Sequence, residues 1–166
     1  MDGTKEFVKR NGEFTVNIAL IEGRVPVLGV VALPATGEMY YGVAGEGAYC
    51  RAGDEQTKLE LRKPLDMSRP GLRVVASRSH MNEETEAFIA KLNTPELISA
   101  GSSLKFIAVA TGKADLYPRY IPCMEWDTAA ADVIVREVGL QTTSVETEQP
   151  LLYNKENLLN PYFICK

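Results

Sequence analysis

Histidine occurs once in the 166 residues, as His80, and the three cysteines Cys50, Cys123 and Cys165 lie far apart. A single histidine disfavours a zinc site of the usual His/Cys kind and leaves a Ser-His-Asp or Cys-His mechanism with one candidate base. An odd number of separated cysteines without a C-x-x-C pair is typical of reduced thiols. We therefore expect a cytoplasmic protein and leave peripheral association with the inner membrane open.

Basic charge is in deficit, with 18 Lys and Arg against 22 Asp and Glu and a net charge of −4. Because nucleic-acid binding requires cations that neutralise phosphates, we expect no nucleic-acid partner. A pocket for one small phosphorylated ligand needs only a few cations. No apolar run approaches the roughly 18 residues of a membrane span. The first residues also lack the basic stretch and apolar run of a signal peptide.

The chain is 45% hydrophobic and 24% charged, which is typical of a globular protein, and two periodicities divide it. In residues 14–50, segments in which apolar and polar residues partly alternate are separated by short turns, which predicts antiparallel hairpins. Beyond a polar connection at residues 51–71 the pattern becomes βαβ, with helices expected at 82–92, from Ser102 or Ser103 to Thr111, and at 127–138. We predict an α+β or α/β fold, with an antiparallel-sheet domain at 1–60 and an α/β domain at 61–166. The sheet has no helix of its own, so either the second half supplies its whole cover or part of that cover is missing.

Five short motifs each allow a structural and a functional interpretation. Taken alone, each is more often a turn, a helix cap or a solvated loop than a site. A carboxylate in a tight turn or at a helix start also suits a divalent cation, and hydroxyls, lysine or arginine nearby suit a phosphate. The motifs are Asp2-Gly3-Thr4, the segment S-R-S-H at 77–80, G-S-S-L-K at 101–105, Arg119, and E-W-D-T-A-A-A at 125–131.

In their order along the chain, these motifs resemble the inositol monophosphatase superfamily and, within it, the CysQ-type 3'(2'),5'-bisphosphate nucleotidases. The W-D-x-A-A segment resembles a motif found across the superfamily, whereas the segments G-S-S-L-K-F and D-L-Y-P-R resemble motifs of the nucleotidase branch. Members of the family carry a further N-terminal third, with two helices, a metal-binding glutamate and a D-P-x-D-G-T loop. The resemblance implies an inositol-monophosphatase-like sandwich with its N-terminal part truncated, in which an antiparallel sheet is followed by an α/β layer.

The resemblance also implies a site. In the family two or three Mg²⁺ ions polarise a phosphate and activate a water molecule. It implies Asp2, Thr4 and Asp127 as catalytic residues, and Asp2, Asp127 and the backbone carbonyl of Met1 as metal ligands. The positions that match substrate-binding residues are Gly3, Thr4, His80, Ser102, Lys105 and Arg119.

The implied function is that of a Mg²⁺-dependent phosphomonoesterase that removes the 3'-phosphate of adenosine 3',5'-bisphosphate, a by-product of sulfate assimilation. Because some metal ligands of the family precede Met1, we expect the chain by itself to be an inactive fragment. Two alternatives stay open: hydrolysis of inositol or sugar phosphates, and a non-catalytic domain that binds phosphonucleotides. The uncovered sheet also predicts a homo-oligomer.

Overall fold

The computed structural model describes residues 1–76 and 81–166. Within them, no helix has the length and apolar character that crossing a bilayer requires. In chain order the elements are α1 Thr4–Lys9, β1 Val16–Glu22, β2 Val25–Leu33, β3 Glu38–Val43, β4 Gly47–Ala52, β5 Glu55–Lys58, β6 Arg73–Ala76, α2 Glu83–Ile89, β7 Glu96–Ser99, α3 Leu104–Ala110, β8 Tyr117–Arg119, a 3-10 helix Glu125–Asp127, α4 Ala129–Glu137, β9 Thr142–Ser144 and β10 Phe163–Cys165.

The first half folds into one antiparallel sheet with strand order β1-β2-β3-β4-β5. Every neighbouring pair is antiparallel, so the predicted hairpins are confirmed. The turn between β1 and β2 passes through Gly23 at φ 59°, a left-handed conformation that glycine adopts without steric cost. The sheet is therefore a simple meander whose order follows the order of the chain.

Helix α4 covers one face of this sheet at a pair of glycines. Gly29 and Gly42 are cross-strand partners on β2 and β3. A Cβ atom at Gly29 would lie 2.0 Å from the backbone oxygen of Ala130, so the helix backbone rests directly on the strand. The main apolar core joins the two halves, with Val31 from the sheet and Ile134 from α4 both fully buried. The predicted division at residues 60 and 61 stays a prediction.

The opposite face of the sheet, which we call the open sheet face, is apolar and uncovered by the described residues. On β1, Ile18 is 61% exposed and Leu20 is 58% exposed. Strand register places their cross-strand partners on the same face, because directly paired residues point to the same side. None of those partners is buried. The remaining positions of the face are Val16, Leu28, Val30, Ala32, Met39, Tyr41, Val43 and Tyr49.

The second half contains the predicted βαβ unit, with β6 and β7 paired in parallel across α2. A three-stranded sheet of order β8-β10-β9 follows. An isolated bridge between Val74 and Leu116 connects the two sheets, and both residues are fully buried. The two sheets hold α3 and α4 between the meander and the C-terminal strands, which places the start of both helices beside the start of the chain.

Candidate active site

One pocket, of about 150 Å³, forms where four segments meet: the start of the chain, the start of α3, β8 and the loop before α4. It gathers six of the residues that the sequence predicts for a site, namely Asp2, Gly3, Ser102, Lys105, Arg119 and Asp127. The other lining residues are Lys5, Glu6, Gly101, Phe106, Tyr117, Cys123 and Thr128. Segments more than 100 residues apart in the chain thus converge on one cavity.

Asp2 forms an antiparallel bridge with Thr15, the residue that precedes β1. The backbone N–H of Asp2 donates to the carbonyl of Thr15 at 2.8 Å, and the N–H of Thr15 donates back at 2.9 Å. Gly3 follows at φ 91°, a conformation that favours glycine. A Cβ atom at Gly3 would also lie 3.1 Å from the Glu13 carbonyl oxygen and from the Cα of Phe14. Both the turn and the close approach require glycine here.

Asp127 ends the 3-10 helix and lies beside Asp2. Its Oδ2 accepts a hydrogen bond from the backbone N–H of Met124 at 3.1 Å. Burial raises the pKa of Asp127, and the negative charge of Asp2 raises it further. The interpretation of Asp127 as the N-cap of the long helix is wrong, because a 3-10 turn intervenes and Thr128 precedes the first residue of α4. The carboxylate closes that short turn instead.

The C-terminal segment braces the loop that carries Asp127. Glu125 is 7% exposed and accepts a hydrogen bond from the backbone N–H of Asn154 at 2.6 Å, and it pairs with the ammonium of Lys155. Asn160 donates from Nδ2 to the carbonyl of Met124 at 3.0 Å and to Thr128 Oγ1 at 3.1 Å. The position of Asp127 therefore depends on contacts made near the end of the chain.

Lys105 is a buried cation that lines the same pocket as Asp2 and Asp127. Its side chain is 4% exposed, and Nζ donates to the carbonyl of Ser102 at 2.8 Å and to that of Ala100 at 3.4 Å. Burial lowers the pKa of Lys105 to about 8, and the positive charge of Arg119 lowers it further. The ammonium also lies 5.5 Å from the centre of the Tyr117 ring. Its hydrogen-bond acceptors are neutral carbonyls, and the carboxylates of Asp2, Glu6 and Glu13 offset the cost of burying its charge only in part.

Arg119 supplies the second cation. Its guanidinium donates to the Ile121 carbonyl from Nε at 3.1 Å and to the Tyr117 hydroxyl from Nη1 at 3.3 Å. These contacts fix the fork beside Lys105, so two positive groups share one pocket. Two adjacent cations repel each other, and an anion placed between them would remove that repulsion.

The structure does not bring every predicted residue into the pocket. Thr4 begins α1 and Met1 is 65% exposed, and neither is among the residues that line the cavity. His80 lies outside the described residues. Ser103 precedes α3, yet its side chain makes no capping hydrogen bond, so the expected serine cap is wrong.

Sequence analysis missed several lining residues, among them Tyr117, Cys123 and Thr128. Each lies within four residues of Arg119 or Asp127, so adjacency to those motifs is the signal that could have identified them. Burial raises the pKa of Cys123, which keeps this thiol protonated. We therefore expect Cys123 to contribute shape rather than nucleophilic chemistry.

The carboxylates fit a hard divalent cation in part. Asp2 and Asp127 supply the oxygen ligands that Mg²⁺ prefers, and the repulsion between them would be relieved by a cation. Within residues 1–76 and 81–166, no group of three or more His, Cys, Asp or Glu side chains is arranged to hold a metal ion. The described part of the site therefore fits one weakly held ion better than a cluster.

Comparison with known proteins shows to which protein family the chain belongs. The inositol monophosphatase family matches residues 1–162, and the chain belongs to this family. The expected fold is thereby confirmed.

Particular relatives narrow the comparison. The chain is 45% identical over 163 residues to the 3'(2'),5'-bisphosphate nucleotidase CysQ of Salmonella typhimurium, which covers 98% of this chain and 64% of the relative. It is 44% identical over 164 residues to CysQ of Escherichia coli K12, with the same shares covered. The crystal structure of CysQ from Bacteroides thetaiotaomicron superposes with a TM-score of 0.88 at 48% identity, covering 99% of this chain and 66% of that one. The chain thus spans about 64% of the length of these curated relatives.

An IMPase/NADP phosphatase complexed with Mg²⁺ and phosphate shares the fold, with a TM-score of 0.77 at 22% identity, covering 99% of this chain and 59% of that one. The family is Mg²⁺-dependent.

Proposed function

We propose that this pocket belongs to a Mg²⁺-dependent phosphomonoesterase that removes the 3'-phosphate of adenosine 3',5'-bisphosphate. One observation carries the proposal: the carboxylates of Asp2 and Asp127 and the cations of Lys105 and Arg119 are among the groups that line the same cavity. The carboxylates suit a metal ion, and the cations suit phosphate. The relatives named as 3'(2'),5'-bisphosphate nucleotidases support the choice of substrate.

The paired cations favour a substrate with two phosphates. Lys105 is nearly fully buried, and its acceptors at Ser102 and Ala100 are uncharged carbonyls. Burial outweighs the attraction of the carboxylates of Asp2, Glu6 and Glu13, and a phosphate oxygen within hydrogen-bond distance would supply a closer counter-charge. Arg119 lies beside Lys105 and offers a fork for the same or the neighbouring phosphate. If the phosphate to be cleaved binds at the metal held by Asp2 and Asp127, a substrate without a second phosphate would leave Lys105 and Arg119 without an anionic partner from the substrate.

Each residue of the site has a proposed task. Asp2 and Asp127 hold Mg²⁺, with the backbone carbonyl of Met1 as a further ligand. When bound, Mg²⁺ polarises the phosphate and lowers the pKa of the attacking water. The backbone of Gly3 and the hydroxyl of Thr4 orient the phosphate and the water. The residues proposed to bind the nucleotide and its second phosphate are His80, Ser102, Lys105 and Arg119.

We also propose that residues 1–166 alone hydrolyse this substrate slowly. The described residues offer two converging carboxylates, which can hold one ion but leave a second with too few ligands. We expect a rate at least ~10³-fold below that of the Salmonella relative, which corresponds to about 4 kcal/mol of lost barrier stabilisation. This weakness also favours the second candidate, a domain that binds the phosphonucleotide without hydrolysing it.

Competing substrates test the function. The values of kcat/KM for adenosine 3',5'-bisphosphate, inositol 1-phosphate and a sugar phosphate are compared in Mg²⁺ at high protein concentration, with the Salmonella relative as positive control. We expect a clear preference for the nucleotide. A preference for inositol 1-phosphate would contradict the substrate, and tight nucleotide binding without turnover would favour the binding domain.

The open sheet face supports a further proposal, that a second copy of this chain covers it. Ile18 and Leu20 are more than half exposed on β1, the edge strand of this apolar face, and such patches mark interaction sites. The free edge of β1 could pair in the same way. Light scattering at micromolar concentration tests this, and a monomer that binds no hydrophobic dye would contradict it.

For localisation we propose the cytoplasm. The three cysteines are free in the structure, and two of them, Cys123 and Cys165, are buried. Reduced thiols are typical of that compartment. Measuring the thiol state of protein taken rapidly from cells tests the proposal, because an oxidising compartment would yield modified or bridged cysteines.

A further inference from the structure

The side chains of Thr15, just before β1, and Asn17, on β1, bond to two consecutive serines before α3. Thr15 Oγ1 donates to Ser102 Oγ at 3.3 Å, and Asn17 Nδ2 donates to Ser103 Oγ at 2.7 Å. Ser103 is 1% exposed. A buried hydroxyl needs partners for both its lone pair and its proton, and Asn17 satisfies only the lone pair.

The proton of Ser103 has two acceptors within reach. Oγ lies 3.2 Å from Asp2 Oδ2 and 3.4 Å from the backbone carbonyl oxygen of Asp127. The carboxylate is closer and carries a negative charge, so it is the stronger acceptor. One hydroxyl therefore lies between the two segments that supply the carboxylates of the pocket, and it bonds directly to one carboxylate.

We propose that Ser103 is a positioning residue: its hydroxyl, oriented by Asn17, fixes the side chain of Asp2 for a divalent cation. The backbone of Asp2 is already tied to Thr15, two residues before Asn17 on the same strand. The main chain of Asp2 is thus held by Thr15, and its side chain is held by Ser103, which Asn17 orients. Groups that orient metal ligands in this way typically contribute 10–100-fold to metal affinity. The inference rests on the metal site of the proposed function.

Titration with Mn²⁺ alone tests the role of Ser103 without any substrate. Isothermal titration calorimetry on the full chain is compared for wild type, Ser103→Ala, Ser103→Thr and Ser144→Ala. Ser103→Ala is expected to raise the Mn²⁺ dissociation constant at least about tenfold, whereas Ser103→Thr, which keeps the hydroxyl, stays within about threefold of wild type. Ser144→Ala is the matched control, because it removes a buried hydroxyl from β9, where Ser144 accepts from the backbone of residues 146 and 147.

The possible results separate this inference from the function on which it rests. Mn²⁺ affinity within twofold of wild type in a folded Ser103→Ala variant overturns the role of Ser103 alone. A wild-type chain that binds no Mn²⁺ overturns the metal-dependent function and this role together. Should Ser103→Ala fail to fold by circular dichroism, Asn17→Ala replaces it. That variant removes the group that orients the hydroxyl, and an unchanged Mn²⁺ affinity would again contradict the inference.

Discussion

Lys105→Met removes a positive charge from the protein interior at similar volume, and we predict that its effect on stability depends on pH. Burial lowers the pKa of Lys105 to about 8, against a usual value of 10.5. The folded chain therefore releases this proton near pH 8, whereas the unfolded chain keeps it until about pH 10.5. Between these values the unfolded state binds more protons, so the stability of the wild type rises as the pH rises.

The magnitude follows from the two pKa values. Their difference is 10.5 minus 8, or 2.5 units, which at 1.36 kcal/mol per unit gives about 3 kcal/mol in total. Roughly 2.5 kcal/mol of this falls between pH 7 and pH 10. Loss of the hydrogen bonds to the carbonyls of Ser102 and Ala100 costs the variant about 1 kcal/mol each at pH 7. That cost partly offsets the gain at pH 7, so the pH dependence is the decisive quantity.

Urea unfolding followed by circular dichroism at pH 7, 8.5 and 10 measures this pH dependence of the free energy of unfolding. The free energy of unfolding of wild type minus that of Lys105→Met should rise by about 2–3 kcal/mol from pH 7 to pH 10. Groups common to both proteins cancel in this difference, and Lys113→Met, at an exposed lysine, controls for the loss of one charge. A difference that stays constant within about 0.5 kcal/mol would refute the reasoning, because it would mean that Lys105 is solvated in the folded chain.

Three further substitutions test other parts of the account. Asp127→Asn should change the free energy of unfolding by less than about 1 kcal/mol, since asparagine can still accept the hydrogen bond from the Met124 N–H. The same variant should bind Mn²⁺ at least about 100-fold more weakly in calorimetry. Unchanged Mn²⁺ binding would exclude Asp127 as a metal ligand. Gly29→Ala should lower the free energy of unfolding in urea by at least about 3 kcal/mol, and Gly42→Ala by about 1 kcal/mol. The added Cβ atom would lie 2.0 Å from the backbone of α4 at Gly29 but 3.3 Å from it at Gly42. Equal losses of stability would contradict this packing. Replacing Ile18 and Leu20 together by lysine should convert an oligomer to a monomer in light scattering, and an unchanged mass would exclude the open sheet face as the interface.

Local patterns predicted the elements whose residues repeat with a clear period. Apolar and polar residues alternate along residues 14–50, and the structure forms the predicted antiparallel hairpins there. Helix α1 was missed because none of its residues is buried, so no apolar stripe marks it. Strand β5 was missed for the same reason, since all four of its residues are exposed and polar.

The site was predictable only in part. Family resemblance identified Lys105, Arg119 and Asp127, yet no local pattern indicates that they share a cavity with Asp2, because tertiary packing alone brings them together. Sequence rules assigned Ser103 and Asp127 to helix caps, since serine and aspartate satisfy free backbone N–H groups at helix starts. In the structure, Ser103 instead bonds to its tertiary partners Asn17 and Asp2. Asp127 accepts from the backbone N–H of Met124 within its own 3-10 turn rather than capping α4.

Calorimetry with two adenosine nucleotides tests the central claim, that the pocket recognises a substrate with two phosphates. The full chain is titrated in Mg²⁺ with adenosine 3',5'-bisphosphate, with adenosine 5'-monophosphate and with inositol 1-phosphate. Because we propose that Lys105 and Arg119 bind the second phosphate, the bisphosphate should bind at least about tenfold more tightly than either monophosphate, a difference of about 1.4 kcal/mol. Equal affinities, or tighter binding of inositol 1-phosphate, would contradict the account.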